Sequence, residues 1–343
     1  MPPKNRLLSL DAFRGLTIAL MVLVNTPGDH QNVYAPLRHA DWHGWTITDC
    51  VFPSFVWIVG VAIAIGRRKG YAEIFRRAAI LFALGLLLYA FPTFPIDTFR
   101  ILGVLQRIAI CYAVAAVVFM HSGLRGQILT IVGLLASYWA IMAFVPAPGY
   151  AAGDLSIEGN IAHYVDRLLL GAHNYRNTKT WDPEGVISTL PAIATCLLGV
   201  VAGQMLKTRQ MLVAGVALVA SALVLDPLLP INKKLWTSSF TLLMGGLDFI
   251  LLGGLLWIID VKKLIAPFRP AMIMGANAIA VYLMSEFLET FLDLLHWKQP
   301  IYQTLFVPYF SPINASLAFA ISYVLLHFCF AYVLYRRGWF LKV

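Results

Sequence analysis

Two stretches of the chain gather the side chains able to do chemistry. The first, PGDHQNVYAPLRHADWHGWT over 27–46, holds three histidines, two tryptophans and two aspartates. The second, HNYRNTKTWDPEG over 173–185, closes a longer polar stretch that begins near 146. Histidine exchanges protons near neutral pH, because its unperturbed pKa of about 6.5 lies in the operating range. Tryptophan interleaved with polar residues suits a sugar ring, whose C–H face packs on an indole. Trp and Tyr also rest at headgroup level in a bilayer, so any single tryptophan here has a second explanation. Their combination with His and Asp favours a site, drawing on Asp41, Trp42, His43, Asp49, Trp181 and Glu184.

A second set of polar residues lies inside apolar segments, where each ionisable group costs about 2.5–3.5 kcal/mol unless paired. Asp11 and Arg14 are three apart, on one helical face, and a structural ion pair accounts for them as well as a ligand contact does. Gln106 and Arg107 fall within RILGVLQRIAICY, and an arginine there needs a partner or an anion because it keeps its charge. Asp248, Asn277 and Glu286 are equally open to helix-packing roles. Together these residues imply a polar cavity within a bundle.

No GxxxxGK[ST], HExxH or GxSxG pattern occurs, so P-loop, zinc-protease and serine-hydrolase readings have no support. The four cysteines include no CxxC pair, and no metal site is expected.

The elements that must position these groups follow from composition. Of 343 residues, 59% are hydrophobic and 13% charged, with a mean hydropathy of +0.75. An ordinary soluble domain is about 45–50% apolar and about 25% charged. The apolar material recurs in segments of about 20 residues, enough to cross a bilayer. Ten such segments lie near 8–26, 47–66, 73–91, 99–120, 127–145, 185–206, 210–225, 236–259, 271–291 and 313–335. They are uninterrupted rather than alternating, which reads as helices and not barrel strands. Asp11 and Arg14 also argue against the first segment being a cleaved signal. The expected fold is an all-α polytopic membrane bundle of about ten helices, a single transmembrane domain over 1–343.

The net charge of +9 does not point to nucleic acid, because the basic residues sit in the short connections. One side of the map carries Lys4, Arg6, Arg67, Arg68, Lys69, Arg76, Arg77, Arg125, Lys207, Arg209, Lys262, Lys263, Arg269, Arg336, Arg337 and Lys342. The other carries only Arg38, Arg167, Arg176, Lys179, Lys233, Lys234 and Lys298. By the positive-inside rule both termini are cytoplasmic, and the two chemistry-bearing stretches face outward.

The motifs LSLDAFRGLTIALMVLVN and RHADWHGWTITDCVFPSFVWIVG resemble the heparan-α-glucosaminide N-acetyltransferase family and its bacterial NagX-like homologues. The likeness continues in RILGVLQRIAICY, WDPEGVISTLPAIATCLLGVVAG, PINKKLWTSSF and GANAIAVYLMSE, in family order. The resemblance implies transfer of acetyl from cytosolic acetyl-CoA to the amino group of an amino sugar or glucosaminide across a membrane, expected to be a bacterial inner membrane. It makes His39 the active-site histidine and Asn25 the asparagine that closes the first motif. One departure is His43, where the animal enzymes commonly carry asparagine.

Chemistry agrees with these assignments. Amide formation needs a base, which His39 supplies more economically than it would a nucleophile. A buried amide donor such as Asn25 could stabilise the oxyanion, an effect worth about 3–4 kcal/mol in favourable cases. Arg14, Arg107, Gln106 and Asn277 are the expected acetyl-CoA contacts. An amino-sugar transporter and an acyltransferase acting on an envelope-glycan hydroxyl fit the same polar cavity. The lipid bilayer is the expected surrounding, and a homodimer is compatible with the bundle.

Overall fold

The computed structural model describes residues 7–66 and 70–341. Lys4, Arg6, Arg67, Arg68, Lys69 and Lys342, which enter the charge count, lie outside the described residues. Within them every apolar segment is helical and there is no strand, only an isolated bridge between Gly44 and Asn232. Helices satisfy their own backbone hydrogen bonds, which apolar surroundings require.

The contacts sort into two compact units. The first contains α1 (Leu8–Asn25), α10 (Arg269–Ala276), α11 (Ala278–Leu294), α12 (Lys298–Leu305) and α13 (Pro312–Arg336). The second contains α3 (Tyr71–Ala90), α4 (Val104–His121), α5 (Leu124–Phe144), α6 (Ile161–Leu170), α7 (Thr189–Gln204) and α8 (Thr208–Leu225). Two helices pass from one unit to the other: α2 (Ile47–Ile65) after Val51, and α9 (Ser238–Leu255) after Ile250.

Seven helices among the described residues are long and apolar enough to cross a membrane: α1, α2, α4, α5, α8, α9 with its π-helical extension to Val261, and α13. An eighth crossing arises if the segments Ala266–Ala276 and Ala278–Leu294, bent by 69°, form one broken span. The other two expected segments are also helical. In α3, Glu73, Arg76 and Arg77 dilute the apolar run, and α7 has only 16 residues. Two short helices were not anticipated. One of them, α6, starts where the Asn160 side chain accepts from the His163 amide at 2.8 Å, a normal N-cap.

Glycine sets the closeness of packing within each unit. In unit 2, a Cβ at Gly60 of α2 would lie 1.8 Å from the Cys196 carbonyl oxygen of α7. A Cβ at Gly199 would lie 1.9 Å from the Trp57 carbonyl oxygen. These two backbones touch, as small residues permit in membrane bundles. In unit 1, Gly15 of α1 and Gly275 of α10 play the same reciprocal part against Ala271 and Asp11.

The loops of unit 2 gather by side. The connections containing Arg100, Trp181 and Asn232 bond to one another and to residues 41–44. At the opposite helix ends Tyr71 bonds His121, and Gln204 donates to Gln127 at 2.6 Å.

Gly199→Ala should lower the thermal midpoint of the detergent-solubilised protein by several degrees, because backbone has no rotamer with which to escape overpacking of about 1–3 kcal/mol. Gly133→Ala on α5, where a Cβ would meet nothing within 4 Å, should leave the midpoint unchanged or raise it.

Candidate functional site

In unit 1 the site begins at the first turn of α2. Asp49 lies three residues after Thr46, in the position from which a carboxylate reaches back to the start of a helix. Its Oδ2 accepts from the backbone amides of Thr46 and Ala40, both at 3.0 Å, and from the Thr46 hydroxyl at 3.2 Å. Its Oδ1 faces His39 Nδ1 at 2.7 Å. Asp49 is 1% exposed, whereas the His39 side chain is 48% exposed. The carboxylate is thus fixed by amides and in turn fixes the imidazole. A carboxylate oxygen only accepts, so Nδ1 donates to Asp49, which orients the ring and its Nε2.

Asn25 is the last residue of α1 and is exposed. The connection that follows it is docked on the start of α13. Gly28 N donates to the Ser316 carbonyl at 3.3 Å, Ser316 Oγ donates to the Asp29 carbonyl at 3.0 Å, and Tyr34 OH bonds Asn314 at 2.6 Å. The Asp29 carboxyl is held below its ordinary pKa by the Asn32 side chain and the Gln31 amide.

Unit 2 builds a second cluster from the other stretch. Arg100 donates from Nε to Asp182 Oδ2 at 2.8 Å, from Nη2 to Asp182 Oδ1 at 2.5 Å and to Glu184, and from Nη1 to Tyr89 OH at 3.0 Å. Its guanidinium lies over the rings of Tyr175 and Tyr89 at 4.5 and 5.0 Å. Burial raises the Glu184 pKa, but Arg100 and Arg107 outweigh it and hold the carboxyl below its ordinary value.

Arg107 enters the same turn from α4. It donates to the carbonyls of Pro183 and Gly185 at 3.2 and 2.9 Å and to Ser188 Oγ at 2.5 Å. Asp166 of α6 accepts from the amides of Val186 and Asp182 at 2.9 and 3.3 Å. The WDPEG turn is therefore gripped from three sides.

That turn presents Trp181. Its ring stacks on His163 at 4.2 Å with 9° between planes, and Trp42 meets both edge-on at 6.1 and 5.7 Å. Trp42 Nε1 donates to the Leu155 carbonyl at 3.0 Å, and Lys234 Nζ sits 5.8 Å from the Trp42 ring while donating to the Asp41 carbonyl. His43 lies beside Trp42 and 3.5 Å from Asn232.

The family model described as heparan-alpha-glucosaminide N-acetyltransferase, catalytic, matches residues 6–233, which contain the histidine–aspartate pair and the WDPEG turn. The chain belongs to this family. It is 30% identical to the heparan-alpha-glucosaminide N-acetyltransferase of Mus musculus and 29% identical to that of Homo sapiens. The alignments cover 99% and 100% of this chain but 61% and 60% of those proteins, so the chain spans about three-fifths of their length.

Within this family member the expected site residues separate into groups. His39 and Asn25 both belong to unit 1, with Asp49 bonded to His39. Asp41, Trp42, His43, Trp181 and Glu184 belong to the loop cluster of unit 2, with Glu184 committed to Arg100. Among the expected donor contacts, Arg14 pairs with Asp11 at 3.2 Å and keeps a partly exposed side chain. Asn277 ties the α10–α11 break to the C-terminal segment through Trp339 O and Leu341 N. Gln106 is fully buried, with its amide lacking a hydrogen-bond partner among the described residues. No group of three or more His, Cys, Asp or Glu able to hold a metal occurs among the described residues.

Sequence reasoning missed Arg100, His163, Asp166 and Asp182. The spacing from Thr46 to Asp49 was a usable signal for a capped helix start. Arg100 opens the RILGVLQRIAICY motif, but nothing local marks its partner, a carboxylate 82 residues further on.

Burial raises the Asp166 pKa from 3.8 to about 6, against the two amides that favour the anion. The protonated form therefore stabilises the fold, fully below pH 3.8, and this contribution is lost as pH rises through 6. The stability of the wild type relative to Asp166→Asn, which does not titrate, should fall by about 2 kcal/mol between pH 4 and pH 7. Thermal unfolding in detergent across that range measures it.

Proposed function

We propose that this chain is an integral membrane acetyltransferase that moves acetyl from acetyl-CoA to the amino group of an amino sugar or terminal glucosaminide. The observation that carries the reading is the His39–Asp49 hydrogen bond inside the matched family region. A buried carboxylate that holds one tautomer of an exposed imidazole makes a directed base, as in hydrolase triads.

In the reaction the acceptor amine attacks the thioester carbonyl, and its C–N bond forms as the C–S bond breaks. The proton leaving nitrogen passes to His39 Nε2, then to the departing thiolate. Asp49 keeps Nδ1 protonated and offsets the positive charge that the ring acquires. The Asn25 amide donates to the oxygen that becomes negative in the tetrahedral intermediate. Direct transfer fits this set, because a deprotonated amine is already a good nucleophile and holding both reactants together supplies the rate.

Within unit 2 the Trp42–Trp181 cluster, with Asp41 and His43 beside it, suits a sugar ring, and the Arg100 and Arg107 contacts support the turn that carries Trp181. Arg14 is the best-placed cation for the donor phosphates. Arg107, whose Nη1 and Nη2 are spent on the turn, acts as a clamp. On the positive-inside reading of ten crossings with both termini cytoplasmic, residues 27–46 and 146–184 face outward, toward the acceptor's side of a bacterial inner membrane.

His39→Ala should abolish acetyl transfer with folding and donor binding retained. Asp49→Asn should lower kcat by about 10²–10⁴. Asn25→Ala should lower it by about 10²–10³. Release of free CoA thiol that depends on an added glucosaminide measures all three, and near-normal turnover of His39→Ala would overturn the mechanism. Transport of the sugar without thiol release would favour a carrier.

Single cysteines at Asn32 and Lys207, in a background with the native cysteines replaced, should react with an impermeant maleimide from opposite faces of sealed vesicles. Labelling of both from one face would overturn the topology.

A further inference from the structure

The Trp42–His163–Trp181 cluster contains a buried acceptor that no donor among the described residues meets. His163 is 1% exposed, close behind the Asn160 cap of α6. Its Nδ1 lies 2.7 Å from the Ile157 carbonyl. A carbonyl only accepts, so Nδ1 carries the hydrogen and Nε2 keeps its lone pair. Nε2 is buried and has no hydrogen-bond partner among the described residues. Burial, with the charges of Arg167 and Lys234 added, lowers the ring's pKa to about 4, so the ring is neutral at physiological pH and remains an acceptor.

Native structures leave few buried polar atoms unmet, and those that persist call for an explanation. The surroundings narrow it. One face of the imidazole is taken by Trp181, and the half-buried Trp42 stands edge-on beside it. Indole surfaces take C–H groups, and a neutral lone pair takes an O–H or N–H donor. A hydrocarbon would leave Nε2 unmet, and an anion would oppose it. A saccharide carries both an apolar C–H face and hydroxyl donors.

We propose that His163 is a further acceptor-binding residue, its Nε2 receiving a hydrogen bond from a ring hydroxyl of the sugar whose C–H face packs against Trp42. The inference rests on the amino-sugar reading of this cluster and adds the residue that selects a hydroxyl.

The test is direct binding to the purified full chain in detergent, read by tryptophan fluorescence. Methyl glucosaminide and its 3-, 4- and 6-deoxy analogues are titrated. His163→Phe keeps a neutral stacked ring and removes Nε2, and should bind methyl glucosaminide about tenfold more weakly. One deoxy analogue should bind the wild type more weakly by a similar factor and show no further loss in His163→Phe. His163→Gln, which returns an acceptor oxygen, should recover part of the affinity. Should His163→Phe not purify folded, His163→Asn, too short to place an acceptor at the Nε2 position, carries the same comparison. Equal affinity of variant and wild type, equal deoxy losses in both, or no saccharide binding by the wild type overturns the proposal. Saccharide binding without acetyl transfer would overturn the enzymatic reading and leave this one standing.

Discussion

A buried guanidinium cannot shed its charge, and the loop cluster of unit 2 is organised around that constraint. Arg100 and Arg107 are both buried, and each is answered by the segment 182–188 rather than by solvent. Arg100 takes the two carboxylates of WDPEG, and Arg107 takes the carbonyls between and after them. Burying such groups gains little net stability over an apolar core of the same volume. What it fixes is one geometry, because each donor direction is matched by one oxygen. Trp181 is the residue so placed, and it carries His163 and Trp42 with it.

The start of α2 in unit 1 solves a different problem with the same economy. Asp49 sits where a helix start supplies unpaired amides, so its charge is met by backbone before any side chain arrives. That leaves Oδ1 for His39. A loop histidine acquires a fixed orientation because the carboxylate it bonds is itself held by amides. The ring is half exposed and its anchor is buried.

Helix packing gives these loops a stable footing. Close backbone contact between α2 and α7, and between α1 and α10, uses glycines that admit no side chain. In apolar surroundings such contact supplies the packing that hydrophobic burial cannot, since lipid is as apolar as leucine. Both Asp49 and the start of the WDPEG-linked helix thereby stand on helices whose own packing tolerates little change.

The sequence by itself determined that the chain is a bundle of apolar helices, because runs of about 20 apolar residues leave the backbone no other way to satisfy itself. It also determined where chemistry could occur, since His39, Asn25 and WDPEG are local patterns. It did not determine which carboxylate serves which cation. Asp49 was legible as a polar residue near the histidine, but only the capped start of α2 makes it the histidine's anchor. Arg107 was legible as a costly intramembrane charge, yet its partners are carbonyls 76 and 78 residues away. Arg100 stood at the head of the RILGVLQRIAICY motif and His163 in the polar stretch after 146, but their partners come from segments that meet only when the helices pack. Periodicity and composition are properties of neighbours in the chain, whereas charge compensation is a property of neighbours in space, and only the tertiary structure brings those together.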